Sequence, residues 1–130
     1  MRRTQLVAVL AALLFAATVS AHHSFTATYD NDKTMTIEGT VAQFLLRNPH
    51  SFLHVTVKDK EGKEEIWNVE WAAAGQLSGA ALVTSLKAGD PAVIRGNPAR
   101  DPADMRLRMV SVKRTSDGAS WGFGNGQTFN

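Results

Sequence analysis

The sequence predicts a small, mainly β domain, and three observations carry that expectation. Apolar and polar residues alternate in five short stretches between residues 34 and 114. Turn-forming Gly, Pro, Asn or Asp residues separate most of these stretches. A single intervening segment, residues 72–86, has the Ala- and Leu-rich composition of a helix.

Ahead of the domain stands an apolar leader. Arg2 and Arg3 form a basic start, residues 6–19 are almost wholly apolar, and Val19-Ser20-Ala21 offers small residues for cleavage. Residues 1–21 therefore read as a secretory signal peptide, too short in its apolar run for a comfortable membrane span. The expected mature protein is periplasmic or secreted, and not an integral membrane protein after cleavage. The chain contains no cysteine, which excludes disulfides, thiolate metal sites and thiol nucleophiles.

The leader also explains the basic composition. It holds two of the 14 Lys and Arg residues and none of the 12 Asp and Glu residues, so the remainder carries 12 of each. A chain with no formal charge excess gives no electrostatic case for nucleic acid, and no nucleic-acid partner is expected.

Residues 22–33 are polar around Tyr29-Asp30-Asn31-Asp32 and read as an extended N-terminal arm. The domain proper is expected over residues 34–115. In the first strand Met35, Ile37 and Val41 alternate with polar residues, Gly39 interrupts the apolar face, and Phe44-Leu45-Leu46 breaks the alternation. A Gly and a phase slip predict a bend or bulge. The second strand places Leu53, Val55 and Val57 on one face and Phe52, His54 and Thr56 on the other. After a charged turn at residues 59–63, the third sets Trp67, Val69 and Trp71 against Ile66, Asn68 and Glu70. With the tip at Lys60-Glu61, Ser51 is expected opposite Glu70.

One short helix follows, weakened by Gly75 and Gly79. Strands are then expected at residues 92–96 and 105–114, joined by a loop carrying Pro98 and Pro102. Residues 116–130 form a Gly-rich tail. Three strands, a helix and two strands match an OB-fold-like, five-stranded, partly open barrel with one short helix between strands 3 and 4. A small antiparallel sandwich or roll is the alternative.

Four histidines lie in the first third of the mature chain: His22, His23, His50 and His54. Cleavage after Ala21 would make His22 terminal. Its α-amine and imidazole could then chelate one metal ion, both losing their protons near neutral pH. A further imidazole would complete a nitrogen set that favours Cu(II). His50, held at a strand entrance by Asn48-Pro49, is the best-placed partner. His23, His54 and Glu70 are lesser candidates, and Glu70 could instead orient an imidazole or simply be solvated. Cleavage one residue earlier would put His23 third, in a chelate of amine, two backbone nitrogens and imidazole. The 12 residues from His22 to Lys33 span at most about 40 Å, so the arm needs most of its length to reach His50.

Ala21-His22-His23-Ser24-Phe25, Tyr29-Asp30, Ile37-Glu38-Gly39-Thr40-Val41, Asn48-Pro49-His50, Trp67-Asn68-Val69-Glu70 and Gly89-Asp90 together resemble a family of small exported bacterial proteins classed only as a domain of unknown function. The resemblance runs from His22 to about Val112. It implies export and one small β-domain, and no established activity. It also implies a more polar, better-capped helix after Trp71 than this Ala/Gly-rich segment offers. The functional expectation is a metal-binding protein, with copper as the ion and no catalytic residue assigned. The alternative is an OB-like module that grips an envelope protein, peptide or glycan through Phe52, His54, Ile66 and Glu70. A metalloenzyme with an open copper position is a third reading, with no substrate indicated.

Overall fold

The computed structural model describes residues 25–122. The expected signal peptide, His22, His23 and most of the Gly-rich tail lie outside the described residues. The strands are β1 (Met35–Leu45), β2 (Phe52–Lys58), β3 (Glu64–Glu70), β4 (Pro91–Pro98), β5 (Arg106–Arg114) and a two-residue β6 (Ser120–Trp121). Two short helices, α1 (Ala74–Leu77) and α2 (Ala81–Ser85), lie between β3 and β4. The sheet order is β3-β2-β1-β4-β5-β6, and a parallel pairing of β3 with β5 closes the first five strands into a barrel. The expected OB-fold-like, five-stranded barrel is thus present, and the β3–β5 seam closes it.

The two inner faces of the β1–β2–β3 meander follow the alternation of the sequence. Ile37, Val41, Leu53, Val55 and Val69 all face the core. The phase slip in β1 is a bulge, since the register with β2 shifts between Val41 and Gln43. One extra residue resets the pleat, so Phe44 packs its ring 5.7 Å from that of Trp71. Gly39 serves the same bend from the other side. A Cβ there would run into the backbone carbonyl of Thr56, so only glycine lets β1 and β2 approach this closely.

The hairpin register differs by one residue from the expectation: Phe52, not Ser51, pairs with Glu70. The cause is the loop. Asp59 accepts the backbone N–H groups of Glu61 and Lys63 through Oδ1, and Gly62 adopts a φ of 83°. These contacts centre the turn on Glu61.

The helical segment is split. Gln76 Oε1 accepts the Ala73 N–H at 3.3 Å, but Ala73 has no oxygen to return the cap. The chain turns out of helix at residues 78–80 before α2 begins. Leu77, Leu82 and Val83 are nevertheless buried in the core.

At the far end of β5, Arg114 ties three elements together. It grips Asp117 with Nη2 at 2.6 Å and Nε at 3.0 Å, donates to Asp90 at 3.2 Å, and reaches the Ser85 carbonyl at 3.0 Å. Lys87 completes the group on Asp90 at 2.9 Å.

Candidate functional site

The last residue of β3 is the centre of the site. Glu70 is a carboxylate only 8% exposed, and both of its oxygens are engaged. Oε1 lies 2.6 Å from His50 Nδ1. Oε2 accepts the Tyr29 hydroxyl at 2.5 Å and lies 3.5 Å from Arg106 Nη2. A buried carboxylate is tolerable only when paired and hydrogen-bonded, and these three partners meet that condition. Glu70 is therefore not a solvated strand end, and it is not available as a contact in an open groove.

His50 reaches Glu70 because the β2–β3 pairing continues one step past the strands. Ser51 donates its N–H to the Ala72 carbonyl at 3.0 Å and accepts the Trp71 N–H at 2.8 Å. Its fully buried hydroxyl bridges the Arg47 carbonyl and N–H, each at 3.2 Å. The Asn48–Pro49 bond within this turn is cis. The outcome fixes the imidazole: Nδ1–H donates to the carboxylate, so the neutral ring keeps its lone pair on Nε2.

The arm completes the site, in a form the sequence did not suggest. Residues 25–28 are a helical turn rather than an extended stretch. Tyr29 then bridges to Ala99, Asp30 N–H donates to the Pro98 carbonyl, and Arg100 holds the carbonyls of Thr26 and Thr28. Folding back to the His50 corner uses residues 25–33, most of the arm, and Phe25 is the described residue that meets His50. The Phe25 ring centroid lies 4.7 Å from that of His50, and Arg108 sits over the same phenyl ring at 4.8 Å. Tyr29 is fully buried. Burial, then its hydrogen bond to Glu70, pushes its phenol well above the usual range.

Tyr29, Arg106 and Arg108 are functional-site residues that sequence reasoning missed. Both arginines alternate along β5 with the buried Leu107 and Met109, so they face away from the core. Only the parallel β3–β5 pairing, with Asn68 beside Arg106 and Glu70 beside Arg108, brings that face to Glu70. Tyr29 had two usable signals: it is the sole tyrosine of the chain, and Tyr29-Asp30 is among the motifs that carry the family resemblance.

Phe25, His50, Glu70, Trp71, Arg108 and Trp121 line a cleft of about 290 Å³, with Ala72, Gln76 and Met109. His54 is placed elsewhere, along β2 opposite Gln43 and Asn68. Among the described residues no hydrogen bond, ion pair or ring contact joins it to His50. Among the same residues no group of three or more His, Asp or Glu side chains is arranged to hold a metal ion. The structure brings together His50 and Glu70 from the sequence candidates. His22 and His23 lie just before the first described residue.

Fold and site together define an OB-type barrel with a Tyr–Glu–His constellation at one end, Tyr29 and Glu70 buried and His50 half-exposed to the cleft. The chain belongs to a family of unknown function, DUF6152, whose model matches residues 9–108. No curated protein matches the chain. Among solved structures, it resembles the Saccharomyces cerevisiae mitochondrial single-stranded DNA-binding protein Rim1, with a TM-score of 0.51 and 13% identity over 64% of this chain and 93% of that one. A Schizosaccharomyces pombe Stn1–Ten1 complex gives 0.48 and 19% identity over 65% and 59% of the two chains. A small single-stranded DNA-binding protein of Streptomyces coelicolor gives 0.44 and 19% over 65% and 94%. The Rim1 likeness shows the fold. It also corrects the exclusion of nucleic acid as a partner: single-stranded DNA-binding proteins carry this fold, and a balance of net charge does not exclude that class.

Proposed function

We propose that this is an exported, periplasmic metal-binding protein that takes up copper at the end of the barrel where Glu70 holds His50. The observation that carries the reading is the 2.6 Å contact between Glu70 and His50 Nδ1. It orients the ring and commits Nε2 as the donor, as a carboxylate does for a metal-ligating histidine. Glu70 itself is the orienting acceptor.

The position of the arm supports the rest. Phe25 packs on His50, and three Cα–Cα steps separate it from His22, so chain length alone keeps His22 within about 11 Å of Phe25. Cleavage after Ala21 then supplies an α-amine and an imidazole beside a third nitrogen, a set suited to Cu(II). The short motifs around His22-His23, Asn48-Pro49-His50 and Glu70 are, on this reading, the parts of one site.

Intact mass of the exported protein establishes the terminus first. Cu(II) titration with EPR should then give one tight, nitrogen-rich site, and His50→Ala should weaken it at least about tenfold. The proposal fails if no tight site forms. It fails equally if His50→Ala binds like the parent while His23→Ala loses the ion, which would mean a purely terminal chelate.

A further inference from the structure

The cleft beside His50 carries a positive charge that no carboxylate among the described residues pairs with. Arg108 is half-buried in its wall. Its hydrogen bond is to a neutral group, Nη1 donating to Asn31 Oδ1 at 3.3 Å, and its guanidinium lies against the Phe25 ring. Among the described residues no carboxylate lies within ion-pair distance of it. Glu70 lines the same cleft, but His50, Tyr29 and Arg106 already occupy its oxygens.

The remaining surroundings favour one kind of ligand. Gln76 spends its amide oxygen on the Ala73 N–H, which leaves its NH₂ as a donor. Phe25, Trp71, Met109 and Trp121 are flat or apolar walls. Trp71 and Trp121 meet edge to face at 5.0 Å. Donors dominate, one positive charge is uncompensated, and a volume near 290 Å³ suits a small molecule. A guanidinium matches a carboxylate in a planar, two-pronged geometry.

We propose that this cleft binds a small organic monocarboxylate with a flat apolar body, its carboxylate on Arg108 and its body against the aromatic walls. The inference goes beyond metal binding and does not require it, because Arg108 and the aromatic walls are not metal ligands.

Benzoate is a suitable probe, titrated into the full mature chain kept metal-free with a chelator. Calorimetry gives the affinity. Tryptophan fluorescence gives the location, since two of the three tryptophans line the cleft. Saturable binding of one benzoate is expected, with benzamide weaker by at least about tenfold. Arg108→Gln should weaken benzoate by a similar factor, and Arg95→Gln on β4 should leave it unchanged. Three outcomes overturn the proposal: no saturation up to about 10 mM benzoate, equal binding of benzamide, or an Arg108→Gln protein that binds like the parent. Should Arg108→Gln fail to fold, the benzoate-to-benzamide ratio on the parent protein decides alone. A failed copper titration leaves this result standing, and a failed benzoate titration leaves the copper reading standing.

Discussion

Tyr29 shows how one side chain can couple the arm to the barrel. Its hydroxyl donates to Glu70 while its ring is wholly buried and lies 5.8 Å from Arg106. Burial first, and then its hydrogen bond to Glu70, raise its pKa, and ionisation would also put a second negative charge beside a buried carboxylate. The folded value therefore exceeds the unfolded one of about 10. The stability tied to the neutral phenol is complete below that unfolded value and is lost as pH rises toward the folded one. Because Tyr29 is the only tyrosine, its ultraviolet titration can be read without assignment. The folded protein should show no tyrosinate at pH values where the same chain in denaturant is fully ionised; ordinary titration near pH 10 would contradict the buried contact. Tyr29→Phe should cost about 1–3 kcal/mol in denaturant unfolding, the price of a buried acceptor left short of a donor. None of this was legible in residues 29–32, whose composition reads as a solvated turn. The burial comes from backbone pairing with residues 98–100, some 70 positions away.

Among the elements, β1 carries the clearest relation between sequence and shape. Its broken alternation announced a bulge, and both the bulge and the close approach at Gly39 are present. Gly39→Ala should destabilise the domain by about 1–3 kcal/mol, because the obstruction is the Thr56 backbone and cannot rotate away. Gly75→Ala offers the opposite case. No atom lies within 4 Å of the added Cβ, and the residue is in the first turn of α1. That change should be neutral or stabilising by up to about 1 kcal/mol, and denaturation midpoints for the two variants would separate them. The helices were less legible than the strands. Alanine richness signalled helix, but the segment breaks at residues 78–80, where Gly79 disfavours continuation, and it folds as two short turns.

For the whole molecule, the local meander was readable and the ring closure was not. Strand alternation reports which face is buried, while the parallel β3–β5 seam joins residues about 38 apart and has no local signature. That seam is what converts two separate polar faces into one site. The opposite end of the barrel depends on the Arg114 cluster. Hydrogen bonds from Arg114 first, and from the Ala119 backbone next, hold Asp117 down at about 2, and Lys87 is the leading cause of the lowering at Asp90. Both folded values lie below the unfolded reference of about 3.9. Their contribution is therefore complete above that reference and is lost as pH falls through the folded values. Between pH 5 and pH 2 the stability of the parent should decline, and Arg114→Gln should flatten the decline. Urea midpoints measured across that range test it; an unchanged slope would assign acid sensitivity to other carboxylates.

The stitching of the arm has a consequence for the order of events during synthesis. Thr26, Tyr29 and Asn31 rest on partners 74, 41 and 77 positions further along the chain. A polypeptide made from its N-terminus cannot seat these residues until β5 has emerged. The described segment made first is thus the one placed last.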